Sequence, residues 1–159
     1  MANRNTQIQT DNVFFDKIRQ GRLFFGKKEP SMVVQFLFKG KKYILEEFDL
    51  EFNQDVNSKG EPDSLVYGGK LTITFSDTPD EHINWWMMDS FSKQDGEFHF
   101  LSNGKKINEG ALLHISFKNA YCIDYQKTMN PQGAGLLTTL IISPHYLKIG
   151  NEEFENEWK

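Results

Sequence analysis

The chain has 159 residues, of which 38% are hydrophobic and 25% charged, and its formal net charge is −4 at pH 7. This length and composition are typical of one globular domain and argue against wholesale disorder. The acidic balance gives no reason to expect a nucleic-acid partner, and no apolar run reaches the roughly 18 residues of a membrane-spanning helix.

The N-terminal 31 residues differ in character from the rest. They hold six Lys/Arg against three Asp/Glu, and the stretch VFFDKIRQGRLFF places two Phe pairs almost symmetrically about a Gln-Gly step. We therefore predict a basic, Phe-rich extension at 1–31 and a main domain at 32–159. The start MANRNTQIQT lacks the basic-then-apolar plan of a secretory signal, so we expect synthesis in the cytoplasm and no membrane insertion. The single cysteine, Cys122, allows no internal disulfide.

From residue 32 onward, apolar and polar residues alternate with the period of two that predicts β-strands. A first hairpin is predicted from MVVQFLFK, the turn KGKK and YILEEFDLEF. The residues predicted to face inward are Met32, Val34, Phe36, Phe38, Ile44, Phe48, Leu50 and Phe52. A polar loop at 53–64 leads to a further strand in which Leu71, Ile73 and Phe75 alternate inward. Gly68 and Gly69 in this run predict a bulge or a close backbone approach.

A single helix start is predicted at TPDE, with Thr78 as N-cap, Pro79 at the first helical position and Glu81 closing a capping box. In the following HINWWMMDSF, helical spacing places Ile83, Trp86 and Met87 on one face. We predict that this face belongs to the core. Trp85 and Met88 fall beside it.

More strands follow at 97–102, 111–117, 120–126, 136–143 and 146–150, with turn signals at 102–106 and 118–119. Seven or eight strands and one helix predict a mainly β fold, an antiparallel β-barrel or sandwich with a flanking α-helix. The C-terminal NEEFENEWK reads either as a frayed acidic tail or as a tail that docks through Phe154 and Trp158.

The sequence offers little for catalysis. Cys122 alternates with Tyr121 and Ile123 on a predicted strand, which favours a buried, inert thiol. The four histidines fall on separate predicted elements without a pair at i and i+4, so we predict no metal site, no cofactor and no enzyme. A small hydrolase pairing Cys122 with a histidine remains an alternative.

Four stretches, in order along residues 33–158, resemble the tube protein of type VI secretion, the Hcp or TssD family. They are FKGKKYILEEFDLEFNQDVNSKGEPDSLVYGGKLTITF, INWWMMDSFSKQDGEFHF, ISFKNAYCIDYQ and LIISPHYLKIGNEEFENEW. The near-literal NAYC and the closing GN…ENEW are the most specific of these motifs.

The resemblance implies a β-barrel that assembles into six-membered rings, which stack into the inner tube of a contractile injector. Partners would be further copies of the chain, sheath and spike proteins, and effectors in the lumen, with export through the apparatus itself. The residues matching the family's ring-to-ring loop are Gln54, Asp55, Gly60, Pro62, Ser64, Gly68 and Gly69. Since Trp and Met are enriched at interfaces, we predict that Trp85, Met88, Phe154 and Trp158 lie between subunits.

The extension at 1–31 departs from the family, whose members begin close to their first strand. We hypothesise that it carries a partner contact, and unchanged assembly and secretion after deletion of residues 1–30 would contradict this. Two related readings stay open. One is a non-polymerising adaptor or chaperone that binds an effector, and the other is the tube protein of an extracellular contractile injector or phage tail.

Overall fold

The computed structural model describes residues 32–102, 111–130, 132–133 and 135–158. The predictions for residues 1–31 and for the turn beyond Ser102 therefore fall outside the described residues. The strands are β1 Met32–Phe38, β2 Lys41–Asn53, β3 Tyr67–Phe75, β4 Gln94–Ser102, β5 Leu113–Asn130, β6 Gly135–Ser143, β7 Tyr146–Ile149 and β8 Glu152–Glu155. The helix α1 spans Glu81–Met88. Nothing in the described ranges is a helix long and apolar enough to cross a bilayer.

All the strand pairs are antiparallel, and six strands close into a barrel. The order runs β4-β1-β2-β3-β6-β5, and a further pairing between β4 and β5 completes the circle. Strand β7 pairs with the first part of β5, and β8 pairs with β7, so these two short strands extend the sheet outside the barrel. The predicted mainly β fold with one flanking helix is confirmed.

The inward faces of the strands form an aromatic core. Phe36 stacks on Phe98, with ring centroids 5.0 Å apart, and on Phe38 at 5.6 Å. Offset aromatic pairs of this kind add stability beyond the area they bury. Gly96 lies where a Cβ atom would come within 2.5 Å of the Phe117 ring. Glycine is therefore required at this position for β4 to approach β5 so closely.

The inward face of β2 differs from the prediction at one end. Ile44 was expected inside but is 46% exposed, while its neighbour Tyr43 is fully buried. The reason is a β-bulge between Leu45 and Glu47, which shifts the register of β2 against β3 and reverses the alternation. Beyond the bulge, Phe48 and Leu50 pack on the core as predicted. Phe52 is partly exposed and stacks edge-on against Phe154, at 4.9 Å.

The start of α1 also differs from the prediction. The N-cap is Asp80, whose carboxylate accepts hydrogen bonds from the amides of His82 and Ile83. The helix begins at Glu81, so the predictions of Thr78 as N-cap, Pro79 at the first helical position and a capping box closed by Glu81 are wrong. Aspartate caps at least as well as threonine because its oxygen reaches the same free amides. The hydroxyl of buried Tyr43 accepts from the Asp80 amide at 3.1 Å, which ties the helix start to the barrel.

Residues 113–130 form one continuous strand, where the sequence predicted two strands separated by a turn. The turn signal corresponds to a kink, because Asn119 has φ of 51° and its amide donates to the Asp95 carboxylate. Up to Ala120, β5 pairs with β4 and β7, and from Tyr121 onward it pairs with β6. A single bent strand therefore joins the two halves of the barrel.

Candidate functional site

Helix α1 has one face in the core and one in solvent. Ile83 and Trp86 are buried, and Met87 packs against the core, as the helical spacing predicted. The indole of Trp86 lies between Phe38 and Phe117, and its Nε1 donates to the carbonyl oxygen of Ala120 at 2.9 Å. This hydrogen bond satisfies the polar atom of a fully buried side chain and anchors α1 to β5.

The opposite face of α1 carries large apolar side chains in solvent. Trp85 is 66% exposed and Met88 is 79% exposed. Three residues beyond the end of the helix, Phe91 is 85% exposed. We call Trp85, Met88 and Phe91 the helix patch. Exposed apolar clusters of this kind mark interaction sites in soluble proteins. The prediction named Trp85 and Met88 but missed Phe91, although helical spacing extended by one further turn would have found it.

The loop between β2 and β3 is held by its own hydrogen bonds. Gln54 Nε2 donates to the Ser64 carbonyl oxygen at 2.9 Å, and the Asp55 amide donates to Ser64 Oγ at 2.8 Å. Val56 and Pro62 form a β-bridge across the loop. Gly60 has φ of 82° and lies at the loop tip, where its amide donates to the carbonyl oxygen of Asn57. The structure thus brings together five of the seven residues predicted for this loop.

The ordered loop presents apolar side chains to solvent. The exposed ones are Val56, Leu65, Val66 and Tyr67. The Tyr67 hydroxyl donates to the Asp55 carboxylate at 3.0 Å, and this hydrogen bond raises the pKa of Tyr67. A surface ordered before binding loses less conformational entropy when a partner docks on it.

The other two predicted loop residues, Gly68 and Gly69, lie in β3 and hold the C-terminal segment. The Asn156 side chain donates to the carbonyl oxygens of Gly68 and Pro144, and its Oδ1 accepts from the Gly68 amide. A Cβ atom on Gly69, whose φ is 65°, would lie 3.4 Å from Phe154. A Cβ atom on Gly68 would lie 3.0 Å from the backbone oxygen of Glu51, and the register of β2 against β3 shifts between Glu51 and Phe52, so both the predicted bulge and the predicted close backbone approach are observed.

The C-terminal residues dock on their own chain. Phe154, in β8, is partly buried and packs against the core. Trp158 is partly exposed, stacks on His145 with centroids 4.9 Å apart and lies near Tyr121. The tail is therefore ordered, and only part of the Phe154 and Trp158 surface is available for contact with a neighbour.

Cys122 is buried, as predicted. Desolvation raises the pKa of its thiol to about 12, and Sγ donates to the carbonyl oxygen of Asp124 at 3.3 Å. A protonated thiol directed at a backbone carbonyl is a poor nucleophile. This geometry disfavours the hydrolase reading.

Two histidines and a glutamate meet on the outer face of β4 and β5. His99 lies opposite His114 in the strand register, and Glu97 is two residues before His99 on the same face. The Nε2 atoms of both histidines lie 3.1 Å from Glu97 Oε2. Partial burial opposes ionisation of Glu97, but the two histidine hydrogen bonds and charges outweigh it and lower the pKa. Spacing within a single element does not reveal this cluster, because His99 and His114 meet only through the pairing of β4 with β5.

The barrel, the helix patch and the ordered loop define a small β-barrel protein with apolar surface available for contacts. The family model for hemolysin coregulated protein Hcp (TssD) matches residues 30–159. The chain belongs to this family. A sequence search of curated proteins found no match.

Solved structures share the fold. The chain resembles Hcp1 from Flavobacterium johnsoniae with a TM-score of 0.70 and 24% identity, covering 78% of this chain and 99% of that one. Hcp1 from the E. coli EAEC 042 pathovar gives a TM-score of 0.59 and 10% identity, with 81% and 99% covered. The PVC sheath/tube terminator of an extracellular contractile injection system gives 0.52 and 11% identity, with 76% and 94% covered.

Proposed function

We propose that the protein is a structural protomer of the inner tube of a type VI-like contractile secretion apparatus. Six protomers form a ring, the rings stack into a tube, and effectors are carried in its lumen. Sheath and spike proteins are the further partners, and the tube protein leaves the cell through the apparatus. Membership of the Hcp family supports the proposal, and the helix patch is the single observation in this chain that carries it.

The helix patch suits the contact between neighbouring protomers of a ring. A ring requires a heterologous contact, in which one surface of each protomer meets a different surface of the next. Tryptophan and methionine are enriched in the buried centres of such contacts. On the described part of the chain, β8 pairs only with β7, so its outer edge is free to meet a neighbouring protomer. We assign the helix patch to one of the two surfaces of this contact. Phe154 and Trp158 belong to the other surface, which includes the edge of β8.

The loop between β2 and β3 suits the contact between stacked rings. It is ordered by the hydrogen bonds of Gln54, Asp55 and Ser64, and it exposes Val56 and Leu65. Gly60 and Pro62 lie towards the tip of the loop, and Gly68 and Gly69 lie in β3, just after the loop ends. A preorganised loop that exposes apolar side chains can dock on the next ring with a smaller ordering cost than a flexible loop.

The ring contact is tested by truncating Trp85. We expect Trp85→Ala to leave a folded monomer, because Trp85 is largely in solvent, while weakening the contact by about 2 kcal/mol as an interface hot spot. That loss corresponds to about a thirtyfold weaker association at each contact. Size-exclusion chromatography with light scattering, over a range of protein concentrations, measures how far the population shifts from rings to monomers.

The matched control is Met129→Ala, which truncates another exposed apolar side chain, in β5. We expect it to leave assembly unchanged. Full rings from the Trp85→Ala chain would refute the assignment of the helix patch. A wild-type chain that stays monomeric at all concentrations would favour the adaptor reading.

A further inference from the structure

The cluster on the outer face of β4 and β5 has the composition of a metal site. Phe98 and Phe100 point into the core, so the alternation of β4 turns Glu97 and His99 outward. Strand β4 is paired on both sides, with β1 and with β5, which fixes the backbone under these side chains. Rigid positions of this kind hold ligands better than loops do.

The potential ligand atoms converge on one point. Glu97 Oε2 lies 3.1 Å from the Nε2 atoms of both His99 and His114. The two imidazole rings meet edge to face with centroids 4.6 Å apart, and the ligand atoms of all three residues lie within 4.8 Å of one another. Among the described residues, Glu97, His99 and His114 form the group in which three side chains able to bind a metal lie close together.

We propose that Glu97, His99 and His114 bind a divalent transition-metal ion of the zinc type. Zinc bonds to nitrogen and oxygen are about 2.1 Å long, so two ligand atoms of a tetrahedral site lie about 3.4 Å apart. The two nitrogen–oxygen separations of 3.1 Å are close to this value, and since the ligand atoms of all three residues lie within 4.8 Å of one another, rotation of the histidine side chains can bring the nitrogens together around one ion. A metal ion bound at both Nε2 atoms requires each neutral imidazole to carry its proton on Nδ1, so the ion takes the place of the two contacts between Nε2 and Glu97.

The site has three protein ligands and one open position. The side chains of His99, His114 and Glu97 are 30%, 51% and 48% exposed, so water can fill the fourth position. Two imidazoles and one carboxylate suit Zn²⁺, Ni²⁺ or Cu²⁺, whereas Mg²⁺ prefers oxygen ligands and keeps its own water shell. The site lies within one protomer and does not depend on ring assembly.

The test is a zinc titration of the full-length chain after treatment with a chelator and removal of that chelator. Competition with a chromophoric zinc indicator measures affinity and stoichiometry. We expect one Zn²⁺ per chain with micromolar or tighter affinity, and no competition from Mg²⁺. His99→Gln and His114→Gln should each weaken binding by at least about tenfold, since each removes one of only three ligands.

The matched control is His82→Gln, which removes an exposed histidine on α1 and should leave zinc binding unchanged. Line broadening of the His99 and His114 ring signals by substoichiometric Cu²⁺ provides a second measurement on the wild-type chain, independent of variant folding. No zinc binding in the titration, or equal binding by the His99→Gln/His114→Gln double variant, would overturn the proposal. The two histidines would then serve only as hydrogen-bond partners of Glu97.

Discussion

Trp85 and Trp86 are consecutive in the sequence and have opposite environments. A helix rotates about 100° per residue, so consecutive side chains point in different directions, and one can face the core while the other faces solvent. Trp86 is buried with its Nε1 bonded to Ala120, while Trp85 is mostly in solvent. This division was predictable from spacing alone, because Ile83, Trp86 and Met87 recur with the period of a helix.

Cys122 provides a test at the scale of a single residue. Its pKa is raised to about 12 by burial, so at pH 8 only about one thiol in ten thousand is ionised and reactive. We expect negligible reaction of the native chain with a thiol reagent such as Ellman's reagent at pH 8. In guanidinium chloride the chain unfolds, and its exposed thiol should react promptly, releasing one equivalent of the reagent's coloured thiolate per chain. Native reaction at the unfolded rate would contradict a buried thiol and revive the hydrolase reading.

Strands β2 and β5 show which features of a strand can be predicted from the sequence and which cannot. The period of two located the strands up to β7, because side chains alternate across a sheet whatever its partners, but β8 in the C-terminal segment was not predicted. The bulge in β2 was missed, although adjacent exposed Glu46 and Glu47 interrupt the alternation between Leu45 and Phe48. The union of two predicted strands into β5 depends on pairing with β4, β6 and β7, which only the tertiary structure supplies.

The helix start gives a prediction at the element scale. Asp80→Ala removes the side chain that caps the amides of His82 and Ile83 and should cost about 1 kcal/mol in the free energy of unfolding. Thr78→Ala, two residues earlier at an exposed position, should cost less than about 0.5 kcal/mol. Urea unfolding of both variants measures the difference. A larger loss from Thr78→Ala would restore the cap predicted from sequence.

The histidine cluster shows the same limit of sequence reasoning. Glu97 and His99 share a strand face by simple alternation, and that much could be predicted. The meeting of His99 with His114 depends on the β4–β5 register, and a one-residue slip would turn His114 to the other face. Register is set by core packing across the whole barrel, so inspection of single elements could not find the cluster.

At the scale of the whole molecule, closure of the barrel limits the strand edges that the described residues offer for assembly. Closure pairs each barrel strand with two others, and β8, which pairs only with β7 in the described residues, offers a strand edge to a neighbouring protomer. The helix patch and the loop between β2 and β3 supply apolar surface in two separate elements. A ring that also stacks requires two kinds of contact, one around the ring and one between rings, and these two elements can each contribute to one of them.

The most direct test of the tube proposal is negative-stain electron microscopy of the purified full-length chain at micromolar concentration. We predict rings with sixfold symmetry, singly or in short stacks. A field of isolated small particles at every concentration examined would contradict a self-assembling tube protomer.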